Sequence, residues 1–418
     1  MNHDEFIFEL NKVNLKGLEE IPIGELLATI YFEREGIGNT KLLKSILTSI
    51  VLDKNEYYIY QDAKIWLIST YSYFGRADLR HQFENVANCI KHRGIIFPKK
   101  EISFQVKRLR YLPLIFCWRK ELKKTNFNKK IQYRMIAETF KALIIAEEAV
   151  KIIKNNSKAK ICVTFCDVHP PDYLITFMLN KCGIKTATLQ HGVYDHISRY
   201  EFAHSHSDYF LAINEHAKEE AILSGLNEKK VCVLGPLSYI DETPMVRSLV
   251  KRDKTYGILL NGARAGRLEG EDRKLLDFAY LLTKEKKFSV IVRPHPLGDV
   301  PEHRIKKIQQ YSECPGNIQL RDFLSQCDFV LTGSTTAYID AFIFGCPAYR
   351  YIGIHDYFPQ INKFCFSDKY QLEGEIIDYY TKNEEQLLHE VQTVRQYFIP
   401  DGSIKKYYQL FFKECTNE

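Results

Sequence analysis

Apolar residues recur along this chain in two alternating rhythms. Near the N-terminus the period is helical: Ile23, Leu26, Leu27, Ile30 and Tyr31 share one stripe, and Leu42, Leu43, Ile46 and Ile50 share another after a break at Gly36-Ile37-Gly38. Ile65-Trp66-Leu67-Ile68, inside the segment 64–70, is continuously apolar and predicts a buried strand; Gly75-Arg76-Ala77-Asp78 and a helix to about Cys89 follow. The longest amphipathic stripe (Ile131, Met135, Ile136, Phe140, Leu143, Ile144, Ala149, Ile152) predicts a helix over 131–155. From 160 onward short apolar runs alternate with helical stripes. They predict strands at 160–165, 185–189, 207–212 and 231–234, with helices at 172–181 and 215–224. After a polar stretch from Gly235-Pro236 to about Lys254 the same grammar resumes. Strands are predicted at 256–260, 288–292 and 329–331 and helices at 270–285, 302–311 and 335–344, with a short run at 317–320 and a helical turn at 321–326. Such alternation predicts an α/β architecture of parallel sheets covered by helices on both faces. Ligands of these sheets bind beyond the carboxyl ends of the strands.

At 418 residues, 45% hydrophobic and 26% charged, the chain has the composition of a folded protein with room for two domains, which excludes disordered and collagen-like classes. Its cysteines, among them Cys117, Cys182, Cys232 and Cys346, stand singly and mostly in apolar runs, as buried reduced thiols do. Cys162 and Cys166 lack the second pair that a zinc site needs. The first residues have neither the basic segment nor the apolar run of a signal peptide, and no stretch approaches the ~18 apolar residues of a membrane span, so a cytoplasmic location is expected. The net charge of +6 is concentrated around 105–130, where Lys107, Arg108, Arg110, Arg119, Lys120, Lys123, Lys124, Lys129 and Lys130 interleave with Tyr111, Leu112, Leu114, Ile115, Phe116 and Trp118. This is either a solvated face beside a buried element or a surface for anionic lipid or a lipid-linked acceptor, which would make the protein peripheral at the inner face of the membrane. No nucleic-acid recognition motif accompanies the charge.

The candidate chemistry falls at predicted strand exits. Arg293-Pro294-His295-Pro296 places a cation and an imidazole in a chain stiffened by two prolines, and arginine pairs with phosphate in a bidentate manner. Gly333-Ser334-Thr335-Thr336 brings hydroxyls and backbone N–H groups to a helix entrance, where phosphate is attracted; an ordinary N-cap would use one such residue. Asp340 faces ribose, acceptor or solvent, and Gly345-Cys346-Pro347 closes the helix. Asn261-Gly262 through Gly266 has the makings of a glycine loop that approaches phosphate, with Arg264 and Arg267 beside it. Gln190-His191-Gly192 sets an imidazole after the strand 185–189, as a general base or as a hydrogen-bonded anchor of its loop. Asp167 and His169, one strand earlier, compete for the basic role. His196, His204 and His206 fit no zinc spacing and read as loop.

Together, Gln190-His191-Gly192, Arg293-Pro294-His295-Pro296 and the Gly-Ser-Thr-Thr entrance resemble the bacterial surface-polysaccharide transferases of the GT-B fold. These include capsule and lipopolysaccharide glycosyltransferases that use CMP-activated Kdo or sialic acid, and teichoic-acid glycerophosphotransferases that use CDP-glycerol. The resemblance covers about 155–350. It implies two Rossmann-like, doubly wound domains facing across a cleft, with extra N-terminal helices: an acceptor-side domain at 1–235, a nucleotide-donor domain at 255–383, and terminal helices at 384–418 that cross back to the first domain. It implies that His295, Ser334 and Thr335 grip the donor phosphate; the motifs themselves add Gly262, Arg264, Arg293, Gly333, Thr336 and Asp340 to the expected site. His191 matches a histidine base of the polyol-phosphate branch, and Asp167 is the nearest counterpart of an acidic base in the sialyl-polymer branch. No metal and no cofactor beyond the nucleotide donor is expected. The implied function is glycosyl transfer from a nucleotide sugar to a growing surface polysaccharide or lipopolysaccharide, on a glycan or lipid-linked acceptor. A CDP-polyol phosphotransferase, a nucleotide-sugar epimerase and a non-catalytic glycan-assembly subunit are the alternatives.

Overall fold

Short runs of residues that are apolar throughout become the inner strands of parallel sheets, because both faces of such a sheet are covered. Two sheets of this kind form here. A computed structural model of the chain describes residues 3–16, 18, 23–24, 26–27, 54–58, 65–68, 94–101, 106–155, 160–165, 170–190, 205–236, 254–260, 269–286, 288–294, 318–333, 335–352, 364–398, 405–407 and 409–411. Most of the helical stripes expected over 20–52, the helix expected to end at Cys89 and the one over 302–311 lie outside these residues. The chain divides into two compact units: Met1–His191, His196–Ile240 and Gly402–Glu418 make the first, and Gly192–Asp195 and Asp241–Asp401 the second.

In the first unit, helix α1 (His3–Leu10) precedes strands β1 (Lys54–Tyr58), β2 (Ile65–Ile68) and β3 (Gly94–Glu101). Helices α2 (Leu112–Leu122) and α3 (Lys129–Asn155) come next, then β4 (Ile161–Thr164), α4 (Pro170–Lys181), β5 (Lys185–Leu189), β6 (Tyr209–Ala212), α5 (Glu215–Leu223) and β7 (Val231–Val233). The sheet order is β1-β3-β2-β4-β5-β6-β7. Only the edge strand β1 runs antiparallel to its neighbour. Ile161, Cys162, Val163, Ala187, Leu189, Leu211 and Ala212 are almost wholly buried. Helix α4 opens on two prolines, which are tolerated in a first turn because its N–H groups have no helical acceptor. It stops where Gly183 takes φ +76°, a left-handed conformation that glycine adopts without strain. A second core lies among the helices: Phe6 and Leu10 of α1, Trp118 and Leu122 of α2, and Met135, Ile136 and Phe140 of α3 bury one another. The Trp118 indole N–H is satisfied by the Lys16 carbonyl at 3.0 Å.

The second unit contains β8 (Thr255–Leu259), α6 (Glu269–Lys286), β9 (Ser289–Arg293), α7 (Leu320–Leu324), β10 (Phe329–Thr332), α8 (Ala337–Ile343), β11 (Ala348–Tyr351), β12 (Cys365–Phe366), α9 (Lys369–Thr381) and α10 (Glu384–Phe398). Its strands are all parallel in the order β12-β11-β10-β8-β9. Ile318 and Gln319 lead directly into α7, with Gln319 extended at its N-cap position. Leu387, Val391, Val394 and Phe398 of α10 are buried within the second unit, where the Phe398 ring meets Tyr338 of α8 edge-on at 5.9 Å. Only Gly402 onward groups with the first unit, where the Tyr407 hydroxyl donates to the Gly235 carbonyl at 2.9 Å.

Gly257 of β8 shows how tightly helix α7 sits on the sheet. A methyl group added there would lie 2.7 Å from both Cys327 Sγ and the Phe323 ring, and both side chains are fully buried. Gly257→Ala should therefore cost about 1–3 kcal/mol through overpacking. The check is a lower urea midpoint at unchanged slope; a midpoint equal to that of the parent protein would contradict the packing described.

Candidate functional site

The strand order of the second unit points to a candidate ligand site. Read from β8, the chain adds β9 on one side and then β10, β11 and β12 on the other. Successive connections therefore leave β8 and β10 in opposite directions, and it is outside the carboxyl ends of strands at such a reversal that open α/β sheets bind ligands. The register sets the exits level: Leu259 is opposite Arg293 on one side and opposite Thr332 on the other. Arg293 and Thr332 are thus two strand spacings apart, about 10 Å.

Arg293 ends β9 half-buried, and its Nε donates to the Ile318 carbonyl at 3.3 Å. Among the described residues its two terminal nitrogens make no hydrogen bond. Burial pulls the guanidinium below its ordinary pKa, and the nearby Asp340 carboxylate opposes that pull. Arginine stays charged regardless. Asp340, in the first turn of α8 and half-buried, is therefore close enough to Arg293 to act on it electrostatically. To the three settings open to Asp340 from sequence the structure adds a fourth, a longer-range electrostatic influence on the Arg293 cation.

The Gly-Ser-Thr-Thr segment is organised differently from a simple helix entrance. Helix α8 starts at Ala337, so Thr335 and Thr336 precede it rather than begin it. The Thr335 N–H bonds the Gly333 carbonyl at 2.9 Å, and the Tyr338, Ile339 and Asp340 N–H groups turn back to the Thr335 and Thr336 carbonyls at 2.9–3.2 Å. Thr335 Oγ1 accepts from the Ala337 N–H at 3.4 Å. Thr336 occupies the N-cap position without a side-chain cap, and it is exposed. Its hydroxyl is therefore not spent on capping, and the Thr335 hydroxyl keeps its hydrogen to donate. Arg293, Gly333, Thr335, Thr336 and Asp340 are placed along one sheet edge. Gly262, Arg264, His295 and Ser334 lie outside the described residues.

In the first unit β4 and β5 are neighbours with Thr164 opposite Thr188, so their exits share an edge. The strand order there reverses between β2 and β4. Gln190, the first member of the Gln-His-Gly motif, is buried, and its Oε1 accepts the Ile213 N–H at 3.0 Å, which pins the exit of β5 to that of β6. Its role in this structure is that of an anchor. Asp167 and His191 themselves lie outside the described residues, as do His169, His196 and His204. His206 is described, with its ring edge-on to Tyr173 at 4.7 Å and to Phe177 at 5.0 Å, so it belongs to packing.

Two acids that sequence reasoning passed over do the same job in both units, at the opposite, amino-terminal edge. Asp208, just before β6, accepts the Thr186 N–H at 2.9 Å and pairs with Lys185 at 3.1 Å. Asp328, just before β10, accepts the Thr255 N–H at 3.3 Å and the Tyr380 hydroxyl at 3.1 Å. The shared signal in sequence is an aspartate directly ahead of an apolar run. The Ile318 carbonyl that holds Arg293 carries no such signal, because every residue has one.

No family model matches the chain, and no curated protein sequence matches it. Solved structures do. The structure of UDP-N-acetylglucosamine 2-epimerase from Rickettsia bellii is 14% identical, covering 85% of this chain and 97% of that one, with a TM-score of 0.50. The UDP co-structure of MnaA from S. aureus is 11% identical over 85% and 97%, with a TM-score of 0.52. HepE from Anabaena, in complex with UDP, is 12% identical over 84% and 98%, also with a TM-score of 0.52. The chain has the GT-B fold, with two Rossmann-like parallel-sheet units.

Proposed function

We propose that this protein is a nucleotide-sugar-dependent glycosyltransferase whose second unit holds the donor at the β8/β10 switch point. The observation that carries the reading is the level placement of the Arg293 exit and the Thr332 exit, which leads into Thr335-Thr336. Arg293, His295, Ser334, Thr335 and Thr336, with Gly262, Arg264, Gly333 and Asp340, would bind the anionic part of the donor. A base from the first unit, His191 or Asp167, takes the proton of an acceptor hydroxyl; that oxygen bonds to the sugar, and the nucleotide leaves with the electron pair of the broken bond. Charge grows on its phosphate, where a fixed cation and hydroxyl donors are most useful. The acceptor in this reading is a growing surface polysaccharide or lipopolysaccharide, and the finer donor assignment is a CMP-activated Kdo or sialic acid.

Support for a nucleotide ligand also comes from the likeness to two structures bound to UDP. The fold is shared with a UDP-N-acetylglucosamine 2-epimerase, which keeps epimerisation as a second reading. The deciding experiment measures thermal shifts with CMP, CDP, UDP and GDP, since a ligand of the folded state raises its melting temperature. The sugar or polyol forms of the nucleotide that binds are then assayed with and without a glycan acceptor. Transfer requires the acceptor, whereas epimerisation proceeds without it. His295→Ala should lower turnover about 10²–10³-fold, the usual cost of one donor to a developing charge. Near-parental turnover of a folded variant would remove His295 from the site, and the absence of any nucleotide shift would remove the transferase reading altogether.

A further inference from the structure

Residues 106–134 hold ten lysines and arginines and one acid, Glu121. That local excess exceeds the +6 of the whole chain, so the remainder is net acidic. Glu121 is itself bound to Lys124 at 2.6 Å and accepts the Asn14 N–H at 3.2 Å. The structure shows what this charge surrounds. Helix α2 turns Trp118 and Leu122 into the helical core, and the Trp118–Lys16 hydrogen bond fixes its roll. Its opposite face carries Pro113, Phe116, Cys117 and Lys120, at i, i+3, i+4 and i+7, all exposed. Phe116 leaves 72% of its surface in water. Beyond the helix Lys123, Lys124, Lys129 and Lys130 are exposed, and Arg119 lies over the ring of the exposed Tyr133 at 5.9 Å.

A cationic face alone is often simply solvated. Here a large exposed aromatic side chain stands on the same face of an anchored helix as Lys120, and transferring its ring to an apolar medium is favourable. An anionic bilayer meets both demands: its head groups pair with the lysines, and its acyl boundary takes the ring. Among the described residues no helix is long and apolar enough to cross a membrane, so the contact required is one that lies on the surface. We propose that the outer face of α2, with the lysines that follow it, docks on an anionic lipid bilayer. This surface belongs to the first unit and shares no residue with the proposed nucleotide site.

The test is co-sedimentation of the full chain with vesicles of phosphatidylcholine alone or with about one-third phosphatidylglycerol. The anionic lipid should raise partitioning by about tenfold or more, and salt should reverse the gain. Phe116→Ser and the double variant Lys120→Glu/Lys123→Glu should each lower partitioning by about tenfold, and neither should alter the thermal shift given by the bound nucleotide. Since all three positions are exposed, circular dichroism should match the parent protein. Equal binding to both vesicle types, or parental binding by both variants, overturns the proposal. So does binding to a single-stranded oligonucleotide as tight as to anionic vesicles together with parental vesicle binding by Phe116→Ser, which would make the face a polyanion site.

Discussion

Arg293→Ala should weaken binding of the cognate nucleotide by about 100-fold while leaving the protein folded. A charge-assisted hydrogen bond contributes about 1.5–3 kcal/mol, and tenfold in affinity is 1.4 kcal/mol, so losing a bidentate contact to phosphate reaches two orders of magnitude. The structural loss is smaller. Arg293 is half-buried and makes one described hydrogen bond, to the Ile318 carbonyl. Its removal should cost about 1 kcal/mol, seen as a fall of about 2–4 °C in melting temperature. Arg293→Lys keeps the charge but not the planar fork, so it should recover only part of the affinity. Isothermal titration of the three proteins decides the matter. Unchanged affinity in Arg293→Ala would reduce this residue to a tie between the β9 exit and the Ile318 carbonyl, and phosphate would have to be bound by other groups.

Asp328→Ala should have the largest effect on stability, about 3 kcal/mol, or about 10 °C in the unfolding of the second unit. Asp328 is almost completely buried and accepts hydrogen bonds from the Thr255 N–H and the Tyr380 hydroxyl. The alanine variant leaves both donors without that acceptor at the start of the central strand β8. Because Asp328 sits at the amino-terminal edge of the sheet, nucleotide affinity measured well below the melting temperature should stay within about threefold of the parent, as expected for a site without contact to the ligand. A stable variant with lost affinity would reverse the roles assigned to the two edges.

Much of this molecule was legible before any coordinates. The segments 161–164, 185–189, 209–212, 255–259, 289–293 and 329–332 form strands close to where the alternation places them, and the stripe over 131–155 forms α3. Other features were not legible, for reasons that lie in particular residues. Gln190 stands beside a histidine in a motif that looks chemical, yet it serves as a clasp between two strand exits, because its acceptor capacity is met by the Ile213 N–H, 23 residues further on. Thr335 and Thr336 look like the first turn of a helix, yet hydrogen bonds among Gly333, Thr335 and Ala337 delay the helix to 337. The stripe of α10 is readable as a buried face, but nothing in its spacing says that α8 covers it.

The sequence by itself determined the alternation of strands and helices, the polar character of the strand exits and the concentration of positive charge at 106–134, since each depends on residues close together in the chain. Only the tertiary structure decided that β8 lies between β9 and β10, and with it that the Arg293 and Thr332 exits stand level on either side of Leu259. Strand order is fixed by hydrogen bonding and burial between segments tens of residues apart, and no local periodicity records it.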